Sequence, residues 1–179
     1  MGVVLPENQN QLWEQFSLTN FPNGISIDGC PLLAWQYTLS SAELKALQTT
    51  AILVVPPPIS TGLGNLIPTG GYAFYPVDMS AQYQFVTTAY TIANADNAIQ
   101  IEFVGKATAL LSLLVTGLVD QAASTLAVNN RTSPGAKIAR TNCANLGLEV
   151  KLIGTTPALT LGDGTLHLKG FYRIIPLAA

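Results

Sequence analysis

Apolar and polar residues alternate with a period of two in several stretches of this chain, and such alternation predicts half-buried β-strands. The sequence AIQIEFVG at residues 98–105 shows it with three large apolar residues, and LGLEVKLIG at 146–154 shows it with four. Turn-forming residues such as Asn94-Ala95-Asp96-Asn97 separate these stretches. Many short strands between turns predict a mainly β protein, an antiparallel β-sandwich.

The closing stretch TTPALTLGDGTLHLKGFYRII, residues 155–175, contains the single histidine of the chain. Asp163-Gly164 is a favoured tight-turn pair and predicts a closing β-hairpin. The alternation after this turn gives a core side with Leu166, Leu168, Tyr172 and Ile174, and a polar side with Thr165, His167, Lys169 and Arg173. Gly170 falls on the core side, where a missing side chain suits a bulge or a close neighbour.

One short helix is predicted directly after Ser40. Ser40 and Glu43 have the spacing of a capping box, and Leu44 and Leu47 fall on one face of about two helical turns. Residues 49–55 are rich in β-branched side chains, so the next element is predicted to be a strand.

The middle of the chain is less regular. Three consecutive prolines end the strand at 49–55, because proline donates no hydrogen bond to a sheet. The following loop, rich in Gly and Pro, extends to residue 71, and residues 72–76 and 82–92 predict strands. Residues 107–128 are so densely apolar that periodicity does not separate a helix from strands, although β-branched residues and a glycine favour strands. The composition of residues 129–145 predicts a second loop.

The sequence divides into residues 1–38, an N-terminal arm or small lobe, and residues 39–179, the β-sandwich domain. The first part has a polar opening, a short predicted helix at 11–16, and strands predicted at 25–28 and 31–39 between turn signals. The length of 179 residues suits one domain with such an addition.

Charged residues make up 10% of the chain and hydrophobic residues 49%, whereas about 25% charged is usual. So few charges indicate a surface that is largely covered by copies of the chain or by a partner. The longest apolar run, at residues 107–119, is shorter than the roughly 20 residues of a membrane span. No membrane association or export signal is therefore predicted, and the protein is expected to be soluble.

The net charge of −2 conceals an asymmetry between the two halves. Residues 1–105 contain seven acidic residues and one basic residue, and residues 106–179 contain three acidic and seven basic residues. The basic residues are scattered and are not interleaved with aromatic residues, so nucleic-acid binding is not expected.

No catalytic, cofactor-binding or metal-binding residues are predicted. His167 has no cysteine or acid at ligand spacing, and no serine stands in a nucleophile-elbow sequence. Cys30 and Cys143 are far apart in sequence and outside any CxxC pattern. Five acids, which include Glu102 and Glu149, are in principle able to converge as in a glycoside hydrolase, but turn acids usually cap loops and strand acids usually face water.

Three blocks of sequence together resemble small virion proteins encoded by tailed bacteriophages. They are SSAELKALQTTAILVVPPP at 40–58, VTTAYTIANADNAIQIEFVG at 86–105 and ALTLGDGTLHLKGFYRII at 158–175. The chain departs from the family pattern at residues 56–58, where three prolines and a longer insert replace Ala-Pro-Gly, and the segment before Leu39 has no counterpart.

The resemblance implies a β-sandwich of jelly-roll type that decorates or cements the outer surface of a phage capsid. It also implies a homo-oligomer, with a trimer as the usual form, that assembles in the host cytoplasm and binds the major capsid protein. The alternative is a tail or fibre module that recognises a host receptor or glycan through the loops at 56–71 and 129–145. The residues predicted to lie at interfaces are Trp13, Phe16, His167 and Arg173.

Overall fold

The computed structural model describes residues 32–57, 71–130 and 138–177. Ten strands and one short α-helix, α1 (Ser41–Ala46), make up most of these residues. The strands are β1 (Leu32–Leu39), β2 (Ile52–Val55), β3 (Tyr72–Gln84), β4 (Tyr90–Ile92), β5 (Ala98–Phe103), β6 (Ala109–Leu114), β7 (Thr125–Asn130), β8 (Leu148–Ile153), β9 (Leu159–Leu161) and β10 (Thr165–Pro176). A 3₁₀ turn covers Arg140–Asn142.

Eight of the strands form two four-stranded antiparallel sheets. The first sheet has the order β1-β10-β3-β7 and the second has the order β2-β8-β5-β6, while β4 and β9 pair separately. The chain passes repeatedly from one sheet to the other, and a single hydrophobic core contains residues of both. This strand order is that of a jelly-roll β-sandwich, so the predicted mainly β, antiparallel fold with one short helix is confirmed.

Aromatic and aliphatic side chains fill the space between the sheets. Tyr72, Phe74 and Tyr172 pack together, with ring centroids 5.3 Å apart for Tyr72 and Phe74 and 5.1 Å apart for Phe74 and Tyr172. Burial of such large rings is the main favourable contribution to folding.

Helix α1 begins at the predicted capping box. The Glu43 amide donates to Ser40 Oγ over 3.3 Å, and the Glu43 carboxylate accepts from the Ser40 amide over 2.8 Å. Leu44 and Leu47 are both fully buried, as their shared face predicted. The helix follows β1 in the chain and places these two leucines in the hydrophobic core.

Strand β3 is longer than the strand predicted at residues 72–76. It continues through Pro76, which lies opposite Tyr172, to Gln84. The register shifts between Pro76 and Asp78, so Val77 is an additional residue in a β-bulge. Because β7 pairs with β3 only from Asp78 onward, the missing amide hydrogen of Pro76 removes no bond to β7.

The ambiguous region at 107–128 consists of β6 and β7 with a turn between them, so the preference for strands is confirmed. Strand β1 pairs with β10 along its whole length. Residues 32–38 are therefore part of the sandwich, although the sequence analysis assigned them to the arm. The predicted helix at 11–16, the strand at 25–28 and the rest of the arm lie outside the described residues.

The predicted closing hairpin at Asp163-Gly164 is wrong. Strand β9 pairs with β4, whereas β10 pairs with β1 and β3. The left-handed backbone lies at Leu161 (φ 55°) and Gly162 (φ 49°), ahead of the Asp-Gly pair. Asp163 instead accepts hydrogen bonds from the amides of Thr87 (3.0 Å) and Thr88 (2.9 Å), which hold this turn against the loop before β4.

Gly170 is required by a close approach, as its place on the core side predicted. A Cβ atom at this position lies only 2.4 Å from the carbonyl oxygen of Asp78 and 2.6 Å from Nε1 of Trp35. Any side chain here has to displace backbone or a large ring, so the indole of Trp35 occupies the space that glycine leaves.

Candidate interaction surface

The outer face of the first sheet is the broad surface on which two of the four predicted interface residues, His167 and Arg173, lie. It is formed by the residues that alternate with those of the core, because successive side chains of a strand point to opposite faces. Its members are Gln36 and Thr38 of β1, His167, Lys169, Phe171 and Arg173 of β10, Ser80, Gln82 and Gln84 of β3, and Leu126 and Val128 of β7. Uncharged polar side chains are the largest group among them, and Lys169 and Arg173 are charged.

His167 lies on this face, half-buried among neighbouring polar side chains. Its Nδ1 lies 3.0 Å from Oγ1 of Thr38, and its Nε2 lies 3.3 Å from Oε1 of Gln84 and 3.5 Å from Oγ1 of Thr165. All three partners are uncharged, and none is a carboxylate such as the one that orients the histidine of a Ser-His-Asp triad. These contacts of His167 link β10 to its two neighbouring strands, β1 and β3.

Arg173 occupies the same face beyond the bulge, in register with Tyr75 of β3. It is six residues from His167 along β10, a separation of about 20 Å. The two residues therefore share a face but do not form one site. Trp13 and Phe16, the other predicted interface residues, lie outside the described residues.

Leu126, Val128 and Phe171 project from this outer face, and Tyr75, in register with Arg173, is also exposed there. Leu126 is 68% exposed, Val128 is 62% exposed and Phe171 is 43% exposed. Leu126 and Val128 were missed in the sequence because they fall at the end of the densely apolar region at 107–128, where no periodicity assigned them to a side. The alternation in TLAVNN carries the signal once β7 is recognised as a strand.

Most of the candidate acids stabilise loops and turns. Asp96 accepts from the amide (3.0 Å) and the hydroxyl (2.8 Å) of Thr155, and these hydrogen bonds lower the pKa of its carboxyl group. Asp120 accepts from the Gly117 amide over 2.7 Å, and Asp78 accepts from the Phe171 amide over 2.9 Å. The prediction that turn acids cap loops is confirmed for Asp96 and Asp120.

Glu102 contradicts the prediction that strand acids face water. It lies on β5 directly opposite Glu149 of β8, and its side chain is only 2% exposed. Nζ of Lys151 lies 3.6 Å from Oε1 of Glu102. Burial raises the pKa of Glu102, the Lys151 ammonium group opposes that rise, and the neighbouring Glu149 carboxylate adds to it.

This pair of glutamates does not have the exposure that polysaccharide chemistry requires. A general acid has to reach the glycosidic oxygen, and Glu102 offers almost no surface to a large substrate. Glu149 is occupied with the Gly105 amide, which donates to its Oε1 over 3.0 Å. The arrangement is an ion pair and a loop contact on the second sheet.

The part of the chain that the structure describes contains neither a group of metal ligands nor a long apolar helix. No group of three or more His, Cys, Asp or Glu side chains converges among these residues. Cys143 is buried as a free thiol, and burial raises its pKa, which disfavours the reactive thiolate. Within the same ranges no helix has the length and apolarity that a membrane span needs.

Comparisons with known proteins assign this chain to no family. No protein-family model matches the chain, and no curated protein matches its sequence. Among solved structures, it is similar to a chain of Desmodium yellow mottle tymovirus, with 10% sequence identity over 100% of this chain and 98% of that chain. The TM-score of that superposition is 0.23, which is too low to support an argument about fold or function.

Proposed function

We propose that this chain is a structural protein of a virus particle, a jelly-roll subunit that associates with copies of itself on the shell. The observation that carries the proposal is the strand order of the two sheets, β1-β10-β3-β7 and β2-β8-β5-β6. Jelly rolls of this kind are common in capsid domains and also occur in lectins, so the fold supports a capsid role by analogy.

The surface chemistry supports the same proposal. Only 10% of the residues are charged, and the outer face of the first sheet carries uncharged polar side chains and exposed Phe171, Leu126 and Val128 beside two charged residues, Lys169 and Arg173. Protein interfaces combine apolar and uncharged polar groups in this way and contain few charged residues at their centre. A broad face of this composition suits contact with another protein better than binding of a small ligand, which needs a concave site.

The finer form of the proposal follows the sequence resemblance to virion proteins of tailed bacteriophages. It is a capsid decoration or cement protein that forms homo-oligomers, trimers in the usual case, on the major capsid protein. In this form the subunit stabilises the shell by covering apolar surface that is otherwise exposed at the joints between capsomers.

The number of copies per particle tests this proposal. Quantitative mass spectrometry of purified virions, with the major capsid protein as internal standard, is expected to give hundreds of copies. A few copies per particle would contradict the decoration role and favour the alternative, a tail or fibre module that recognises the host. Absence from purified virions would overturn both roles.

A further inference from the structure

Strand β7 is an edge strand of the first sheet, and within the described ranges its one hydrogen-bonded neighbour is β3. A free edge exposes unpaired backbone amides and carbonyls, and proteins usually protect such edges with charged residues or proline. The sequence of β7, TLAVNN, contains neither. The side chains of Leu126 and Val128 project beside this edge and are 68% and 62% exposed.

The opposite edge of the sheet differs in this respect. Strand β1 presents Gln36 and Thr38 on the outer face, and both are exposed polar side chains. Apolar side chains are therefore concentrated at the β7 edge. This asymmetry indicates that the β7 edge is covered in the assembled protein.

We propose that the β7 edge pairs with the β7 edge of a second copy, antiparallel about a two-fold axis at Ala127. Two copies related by such an axis present the same face of the sheet on the same side. Residues that lie opposite each other in the new pairing must then point to the same face, so their numbers are both even or both odd. The two-fold axis therefore passes through a residue and not between two residues. The first sheets of the two copies become one continuous eight-stranded sheet.

The register follows from the side chains. With the axis at Ala127, Leu126 of each copy lies opposite Val128 of the other, and all four exposed apolar side chains form one cluster. An axis at residue 126 places Val128 opposite Ser124, and an axis at residue 128 places Leu126 opposite Asn130. Only the arrangement centred on Ala127 gives both apolar residues an apolar partner.

The absence of charged residues near β7 favours a second copy of the chain as the partner at this edge. Residues 121–130 contain no charged side chain, so two copies meet without repulsion and without burying an ion. A charged partner strand, by contrast, has to lose hydration with no opposite charge to compensate. A two-fold pair cannot close a trimer, so on a trimeric decoration this contact joins neighbouring oligomers.

The size of the contact determines how the experiment is set up. A six-residue strand is about 20 Å long, and its edge buries less than the about 800 Å² per partner of a standard interface. Self-association is therefore expected to be weak in solution. Sedimentation equilibrium of the full chain from about 10 μM to about 1 mM covers the range of such dissociation constants.

The test variant replaces both apolar residues by lysine, L126K/V128K, which sets like charges opposite each other in the proposed register. The dimer dissociation constant is expected to rise about tenfold or more. The matched control is Leu161→Lys on β9, the same change at a leucine with almost the same exposure, 66%. Its dissociation constant is expected to stay at the unmodified value.

Three results would overturn the proposal. They are a chain that stays monomeric over the whole concentration range, an L126K/V128K variant that associates as tightly as the unmodified chain, and a Leu161→Lys variant that is weakened equally. Circular dichroism of each variant verifies that the sheet is intact. None of these results affects the proposed function, because the copy number on virions is measured independently.

A disulfide experiment tests the register itself. Chains with Leu126→Cys and chains with Val128→Cys, both with Cys30→Ser, are mixed and oxidised. The mixed 126–128 disulfide is expected to dominate, because the Cα atoms of two copies of residue 126 are about 8 Å apart in this register, beyond the reach of a disulfide. Dominant 126–126 or 128–128 disulfides would refute the axis at Ala127.

Discussion

Replacement of Gly170 by alanine tests how rigidly the first sheet and the core are joined. The added Cβ meets the backbone carbonyl oxygen of Asp78 at 2.4 Å and Nε1 of Trp35 at 2.6 Å. Both distances are far below van der Waals contact, and neither neighbour is the end of a flexible side chain. Strand β10 is hydrogen-bonded on both sides, to β1 and to β3, so it cannot move outward without loss of a ladder.

The expected loss of stability for Gly170→Ala is about 1–3 kcal/mol, the usual cost of overpacking a core by one carbon atom. For a chain of this size each kcal/mol lowers the melting temperature by about 2–4 °C, so a decrease of roughly 2–12 °C is expected. Urea unfolding followed by circular dichroism gives the free energy, and calorimetry gives the melting temperature. Lys169→Ala, on the exposed face of the same strand, is the control and is expected to stay within about 0.5 kcal/mol.

A second substitution separates the two clashes. Trp35→Phe removes the indole nitrogen, which lies 2.6 Å from the new Cβ, but leaves the Asp78 carbonyl in place. The double variant, Gly170→Ala with Trp35→Phe, is therefore expected to lose less free energy of unfolding than the two single variants lose in sum, because the two residues are in direct contact. If Gly170→Ala unfolds at the same urea concentration as the unmodified chain, the close packing of β10 against Trp35 is refuted.

Two acids are expected to shape the pH dependence of stability in opposite directions. Hydrogen bonds from Thr87 and Thr88 lower the pKa of Asp163, so its stabilising contribution is present above the ordinary aspartate pKa and is lost as the pH falls through the folded-state value. In thermal unfolding between pH 7 and pH 2, Asp163→Asn is expected to be less stable than the unmodified chain at pH 7, with a difference that shrinks on acidification; a constant difference would contradict this. Burial raises the pKa of Glu102, so the folded state binds this proton more tightly than the unfolded state, and stability falls as the pH rises through the raised value. Glu102→Gln is expected to remove that decrease, and an unchanged pH profile in the same measurement would refute the assignment.

The exposed edge at β7 has a consequence for how the protein is handled. An uncharged, apolar strand edge promotes association between chains, and in an isolated subunit this includes unwanted aggregation. On the proposed particle the same edge is useful, because many weak contacts between fixed neighbours add up to a stable layer. The proposed two-fold pairing and the proposed shell role are thus compatible but separately testable.

The sequence by itself determined the features that depend on near neighbours in the chain. The capping box of Ser40 and Glu43 specifies where α1 begins, because both hydrogen bonds span only three residues. The two-residue alternation in β10 specifies that Leu166 and Leu168 face the core and that His167 faces outward, since the pleat of a strand is local. Gly170 was also identified from this alternation, although its neighbour Trp35 was not.

Only the tertiary structure decided the features that depend on distant partners. Strand β9 pairs with β4 instead of β10, because Asp163 is bound to Thr87 and Thr88, about 75 residues earlier in the chain. Glu102 is buried although its strand alternates like any half-exposed strand. Leu126 and Val128 are exposed because they lie on the outer face of the first sheet, on its edge strand β7, and the position of a strand in a sheet is set by non-local pairing that no short stretch of sequence encodes.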